Sequence, residues 1–268
     1  MKVNKIEAKN IIVKSNLPDA DYVINPYTGC SHNCIYCYAR FMKRFTGHPE
    51  KWGSFVDVKV NAADLIPKRT NKYQNKKILL SSVTDPYLHL EKEYQLTRNI
   101  LKNLIKLKPK LNIQTKSDLV LRDIDILKEF QEPEIGFTII TLKEKFKKEL
   151  EQNTVSIKNR IKALKRLKEL GFKTYLFIGP IFPKITNWKD IIEQTKPYTD
   201  FYMLENINIR GCIYRDIYEW LEKYQPELID NYDYIFKDKK SKYWQQEKIK
   251  IKSYCKDNNL QCNIYFDH

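Results

Sequence analysis

Residues 25–40 read NPYTGCSHNCIYCYAR and follow directly on a short apolar run, YVIN at 22–25. The run predicts a strand, ended by the proline and glycine of PYTG. Three cysteines then fall within eight residues, in a C-x3-C-x2-C array of Cys30, Cys34 and Cys37. Outward from this stretch the apolar runs recur: ILL at 78–80, LNI at 111–113, IGFTII at 135–140, KTYLFI at 173–178 and FYML at 201–204. They are too short for helices. The segments between them carry helical spacing, as in Leu96, Ile100, Leu101, Leu104 and Ile105, or in Ile157, Ile161, Leu164 and Leu167 before a terminating Gly171. Continuous apolar strands alternating with amphipathic helices imply a parallel sheet covered by helices, because a solvated face would show as strict alternation. About six such units end near residue 206.

Beyond that point the pattern turns helical and aromatic-rich, with CIYRDIYEWLEKY at 212–224, KYWQQEKIKIKSYCKDNN at 242–259 and a closing NIYF at 263–266. The expected organisation is a core over 1–206 and a helical appendage over 207–268 packed on it. No repeat of 20 to 50 residues and no low-complexity segment interrupts it.

With 268 residues, 42% of them hydrophobic, the chain is long enough to bury a substantial core. No stretch approaches the roughly 18 apolar residues of a membrane span. The opening MKVNKIEAKNIIVKSN lacks the apolar segment of a secretory signal, so a cytoplasmic, reducing location is expected. The net charge of +15 is mostly lysine, with only nine arginines. It fits either a basic groove for nucleic acid or a solvated, compositionally biased surface.

A cysteine cluster in a chain without an export signal reads as metal ligands before disulfides. Iron–sulfur clusters are held by thiolates, and a four-iron cube ordinarily takes four; three leave one iron open to an outside ligand. The competing reading is a non-catalytic, nucleic-acid-binding zinc module with His32 as fourth ligand. Zinc fingers separate their paired ligands by a longer stretch, so a solvent-facing His32 is expected instead. Cys212, Cys255 and Cys262 lie 43 and 7 residues apart, unlike a compact ferredoxin-type run, and are expected to be free buried thiols.

The words NPYTGCSHNCIYCYAR, SSVTDPY at 81–87, TKS at 115–117 and GPIFP at 179–183 resemble, in order along most of the chain, those of the spore photoproduct lyase family of DNA repair photolyase-like proteins, within the radical S-adenosylmethionine (SAM) superfamily. The resemblance implies an α/β fold, a partial (β/α)6 TIM-like barrel open on one side to a large substrate. It also implies one [4Fe–4S] cluster per chain on Cys30, Cys34 and Cys37, with SAM chelating the open iron. An electron from a reductant such as flavodoxin or ferredoxin would then cleave SAM to a 5′-deoxyadenosyl radical that abstracts hydrogen. Tyr36 falls where the superfamily places an aromatic residue against adenine. Tyr36 and Tyr38 match the tyrosines assigned to the radical relay. Thr84, Asp85 and Lys116 match positions near bound SAM, where Lys116 can pair with the methionyl carboxylate and Thr84 can hydrogen-bond its polar groups.

The sequence also departs from that family. Its hydrogen-donating cysteine is replaced by Ser82, whose O–H bond is too strong for the task. The substrate classes implied are therefore DNA or a nucleotide, with RNA, protein or peptide as alternatives. Among other residues, Thr138 interrupts the apolar IGFTII and is a candidate to face the cofactor. Glu205, Asn206, Asn208 and Arg210 follow the sixth strand, at the rim where barrel enzymes gather their substrate contacts. Asp85 can equally cap the turn before Pro86. The oligomeric state is not legible.

Overall fold

The computed structural model describes residues 1–266, apart from the side chain of Cys212. The first five strands are β1 (Lys2–Ile6), β2 (Ile12–Lys14), β3 (Tyr22–Ile24), β4 (Tyr27–Thr28) and β5 (Phe55–Lys59). Strand–helix alternation follows: β6 (Lys77–Leu80), α1 (Glu91–Tyr94), α2 (Leu96–Leu104), β7 (Lys110–Thr115), α3 (Ile124–Leu127), β8 (Glu134–Thr138), α4 (Glu144–Leu150), α5 (Ile157–Glu169), β9 (Lys173–Ile181), α6 (Trp188–Thr195) and β10 (Phe201–Asn206). The chain continues through α7 (Cys212–Tyr224), α8 (Ile229–Lys237) and α9 (Tyr243–Asp257) to β11 (Gln261–Tyr265).

The main sheet runs β11-β10-β9-β8-β7-β6-β3-β2, parallel throughout except for the β2–β3 pair. Its six central strands, β3 and β6 to β10, coincide with the six apolar runs. This is the α/β partial barrel that the resemblance implies. The outer face of each strand packs under helices through Ile78, Leu80, Leu111, Ile113, Ile135, Phe137, Leu176, Ile178 and Leu204, each at most 1% exposed. Ile100, Leu101 and Leu104 of α2, and Ile157, Leu164 and Leu167 of α5, supply the facing layer. Ser156 caps α5 by accepting from the Asn159 amide at 3.2 Å.

The inner face differs from the expectation of uniformly apolar strands. Asn112, Gln114, Tyr175, Phe177, Met203 and Glu205 alternate with the core residues and line a cavity inside the barrel. The register pairs Gly136 with Tyr175, and a Cβ at Gly136 would come within 2.3 Å of the tyrosine ring, so only glycine admits that ring there.

The C-terminal region is helical as expected, but it does not end as an appendage: β11 pairs in parallel with β10 and adds a seventh parallel strand to the barrel. Nor are its cysteines all free. Cys255 and Cys262 form a disulfide, because α9 reverses into β11 through a tight turn that brings their Cα atoms to 6.4 Å, within bridging range. Cys212 lies outside the described side chains.

A second, three-stranded sheet, β1-β5-β4, packs over the cysteine loop through Tyr27, Phe55, Val56 and Val58. His48 pins its outer side. The imidazole stacks on Phe55 at 3.9 Å, and its nitrogens lie 3.0 Å from the Glu50 carboxylate and 2.9 Å from Asp57 on β5. Glu50 also pairs with Lys2 of β1 at 3.1 Å. Burial opposes the charge on His48, but hydrogen bonds to Glu50 and Asp57 outweigh it and raise its pKa. A raised histidine pKa stabilises the fold fully below the unfolded value of about 6.5, and that contribution is lost as pH rises through the folded value. In urea denaturation the midpoint should therefore fall as pH is raised above about 6.5, and His48→Gln should reduce that dependence.

Candidate active site

The loop between β4 and residue 38 has no regular ladder, so its polar backbone must be satisfied from outside. The connection between α4 and α5 does this. The Ile35 amide donates to the Leu150 carbonyl at 3.0 Å, and Cys34 bridges Glu151. The Asn153 amide and Nδ2 donate to the carbonyls of His32 and Ser31, at 3.2 and 2.9 Å. Asn33 Nδ2 donates to Gln152 Oε1 at 2.7 Å. Four consecutive residues, 150–153, thus hold residues 31–36. At the loop's start the Cβ of any residue but glycine at position 29 would meet the Phe55 carbonyl at 2.5 Å, and φ there is +86°.

Behind the loop lies a buried ion pair. Arg160 Nη2 and Glu151 Oε2 are 2.6 Å apart, with side chains 1% and 0% exposed. Tyr36 donates its hydroxyl proton to the same carboxylate. Arg160 also donates to the Thr138 carbonyl at the end of β8, at 2.9 Å, and to Val155 at 3.1 Å. Burial opposes both charges, but each partner holds the other ionised: the Glu151 pKa is lowered by Arg160 and Lys116, and that of Arg160 is raised by Glu151. Neither residue was singled out from the sequence. The available signal was Arg160 itself, a cation in the apolar stripe Ile157, Leu164, Leu167 of α5.

Cys30, Cys34 and Cys37 meet at the wall of the barrel cavity, about 510 Å³ in volume. All three are free thiols. Burial raises each pKa: Cys34 is pushed up to about 12, and Cys30 is raised further by its neighbours Cys37 and Cys34. Three adjacent, desolvated thiols ionise together only against positive charge, which suits a metal-cluster donor set. Lys116 lies beside them, its ammonium 5.8 Å from the Tyr36 ring centroid. Burial works against its charge, but Cys34 and Glu151 raise its pKa.

The same cavity gathers Tyr36, Tyr38, Thr84, Asp85, Lys116, Thr138, Glu205, Asn206 and Asn208. Arg210, exposed, lies outside its walls. Both Asp85 oxygens serve the protein: Oδ1 accepts from the Tyr87 amide at 2.8 Å and from Thr115 Oγ1 at 2.7 Å, and Oδ2 accepts from the Lys116 amide at 2.8 Å. Thr84 donates its hydroxyl proton to the Gly29 carbonyl at 2.6 Å, which leaves only its lone pairs for a ligand. Thr138 Oγ1 lies 3.4 Å from Gln114 Nε2. Tyr38, 56% exposed, donates to the Ser82 carbonyl, and Ser82 Oγ accepts from Asn25 at 3.3 Å. His32 is not solvent-facing. It is 6% exposed, drawn inward toward Asp85 at 3.5 Å, and burial lowers its pKa to about 4.

Among the described residues, two cavity-lining side chains carry a buried polar atom with no protein partner, Ser81 Oγ and Asn206 Oδ1. Buried polar groups left unpaired are costly, so this region suits a polar ligand with donors for Asn206 Oδ1 and a donor or acceptor for the Ser81 hydroxyl. The ammonium, ribose hydroxyls and adenine amino group of SAM are such donors. The cavity and the three thiols therefore fit both groups that the resemblance implies.

Removing one member of a buried ion pair leaves an uncompensated charge, which costs roughly 3–5 kcal/mol. Arg160→Met should lower stability by that order in urea denaturation, and adding Glu151→Gln to it should recover much of the loss.

A family model for the radical SAM superfamily matches residues 24–194. An uncharacterized protein of Methanocaldococcus jannaschii is 46% identical over 227 residues, covering 85% of each chain. Spore photoproduct lyase complexed with dinucleoside spore photoproduct superposes with a TM-score of 0.68 at 17% identity, over 98% of this chain and 82% of that one. Streptococcus suis SuiB bound to precursor peptide SuiA gives 0.56 at 17% identity, over 92% and 48%. With its family model matched over most of the barrel, the chain belongs to the radical SAM superfamily of enzymes, which implies SAM and a four-iron cluster as cofactors, and it has the fold of spore photoproduct lyase.

Proposed function

We propose that Cys30, Cys34 and Cys37 hold a [4Fe–4S] cluster and that the adjoining cavity binds SAM for radical chemistry on a nucleic acid or nucleotide. The observation that carries the reading is the convergence of two buried thiols and a half-buried third, one lysine and two unpartnered polar side-chain atoms around a single cavity. When bound, the cluster and SAM together would supply a 5′-deoxyadenosyl radical able to abstract hydrogen; the protein's task is to position and shield them.

Lys116 is placed to pair with the methionyl carboxylate, and the lone pairs of Thr84 and the oxygen of Ser81 to accept from the ammonium group. Asp85 acts indirectly, by fixing the Lys116 backbone and the turn after β6. Tyr36 is held rigid by Glu151 and presents its ring to the cavity; Asn206 and Thr138 complete the polar wall. Glu205 and Asn208, on the same rim, are the substrate-side candidates, and Arg210 lies beyond it. Ser82 cannot return a hydrogen atom as a thiol would, so Tyr38, hydrogen-bonded to the Ser82 carbonyl, is the relay residue nearest that position.

The nucleic-acid reading is supported by the net charge of +15 and by the dinucleoside bound to spore photoproduct lyase. A peptide substrate is the second reading, supported by the peptide bound to SuiB on the shared fold.

Anaerobic reconstitution with iron and sulfide, followed by SAM and dithionite, should yield a brown protein that forms 5′-deoxyadenosine, and Cys34→Ala should form none. Binding of zinc in place of any cluster would overturn the proposal. In the same preparation Lys116→Met should weaken SAM binding by about tenfold, the loss of one charge-assisted hydrogen bond.

A further inference from the structure

Residues 38–45, YARFMKRF, form one 3-10 segment directly after the last cysteine, and its two sides differ in kind. Inward, Ala39 and Met42 pack in one apolar cluster with Cys30 and Cys37. Outward, Phe41 and Phe45 are 46% and 66% exposed. The Arg44 guanidinium lies over both rings, 5.7 Å from the Phe41 centroid and 4.6 Å from that of Phe45. Among the described residues Arg44 pairs with no carboxylate, and Lys43 reaches only the Pro49 carbonyl, at 3.3 Å. The acidic side chains nearby are already engaged: Asp216 with Arg40, and Glu50 with Lys2 and His48.

We propose that this face is the docking site for an acidic, one-electron carrier protein. The inference rests on the reading of the cysteine loop as a redox site, since reductive cleavage of SAM needs an electron from outside. Electron transfer falls steeply with distance. Through Ala39 and Met42 this segment packs in the same cluster as Cys30 and Cys37. One electron leaves the carrier, which is oxidised by one electron, and the site behind Cys37 is reduced by one; no bond forms or breaks in that step.

Charge and shape favour a protein carrier over a nucleic acid. Arg44 already covers the phenylalanine faces that a base would need for stacking, and instead offers a planar fork to a carboxylate. Two unneutralised cations around a small apolar centre match an acidic surface with an apolar middle, the arrangement that speeds encounter and fixes orientation.

The test uses the reconstituted holoenzyme with a reduced flavodoxin as probe, and the pair Arg44→Glu/Phe45→Ser, with Phe41→Ser as a second variant. Flavodoxin affinity, read by fluorescence anisotropy, should fall by about tenfold or more in the pair, and high salt should weaken binding to the parent. Formation of 5′-deoxyadenosine driven by flavodoxin should fall in step, whereas formation driven by dithionite, a small reductant that needs no docking face, should stay at the parental rate. Unchanged flavodoxin affinity, or equal losses with both reductants, would overturn the proposal. So would a single-stranded oligonucleotide that is released by these substitutions while flavodoxin stays bound. If the parent makes no 5′-deoxyadenosine even with dithionite, the radical SAM reading fails; the anisotropy measurement then still decides the docking face by itself.

Discussion

An irregular loop carrying three cysteines can be buried only if something else completes its backbone hydrogen bonds. Residues 150–153 do so, and they are held in turn by the Glu151–Arg160 pair. Arg160 ties α5 to the end of β8 through the Thr138 carbonyl, and Glu151 ties the connection to Tyr36 and, by a backbone bridge, to Cys34. The loop, the fourth and fifth helices and the sheet rim are thus parts of one polar network. A pair buried this deeply is weak evidence for net stability, because desolvation offsets the attraction. What it supplies is geometry: one position for Tyr36 and for the turn that grips the loop. Asp85 does the same in joining the turn after β6 to the end of β7.

The barrel solves a second problem, that of putting polar groups inside a parallel sheet. Strand alternation sends Ile113 and Asn112, or Leu204 and Glu205, to opposite faces. The outer set forms the helix-covered core and the inner set makes the cavity wall. Tyr175 fills the barrel between Asn112, whose Oδ1 accepts its hydroxyl proton at 2.8 Å, and Gly136, which yields it room. The floor of the cavity is therefore fixed by packing and hydrogen bonds.

Six strands and the cysteine array were legible because each signal is local: a run of apolar residues, or a spacing. The inner face was less so, because two or three polar residues in a five-residue strand do not stand out from noise. Glu151, Asn153 and Arg160 were missed since their partners lie up to 122 positions away in the chain, and only the fold brings Asn153 to Ser31. The seventh strand was hidden in a short closing NIYF. The Cys255–Cys262 bridge was passed over because spacing alone does not reveal that a helix turns straight back into a strand. His32, read as solvent-facing from its place in a loop, was drawn inward by Asp85. Of the cavity residues, Cys30, Cys34, Cys37, Lys116 and Asp85 were readable from motif words, and so was the Asp85 turn cap, but its bonds to Thr115 and the Lys116 amide were not.

The seventh strand also changes how the site opens. β2 and β11 are the two ends of the main sheet, and it is side chains that meet across the seam: Tyr265 of β11 donates its hydroxyl proton to Asp19 in the β2–β3 turn. Both residues line the cavity. The register of β11 on β10 places Tyr265 opposite Glu205, and the bridge from Cys255 holds the start of β11 against the end of α9. Elsewhere the wall is a ladder of backbone hydrogen bonds, closed by helices, and parting it would break several at once. At the seam the Tyr265–Asp19 bond is a side-chain one, worth on the order of 1 kcal/mol. The seam between the first and last strands is therefore the side of the barrel that costs least to part.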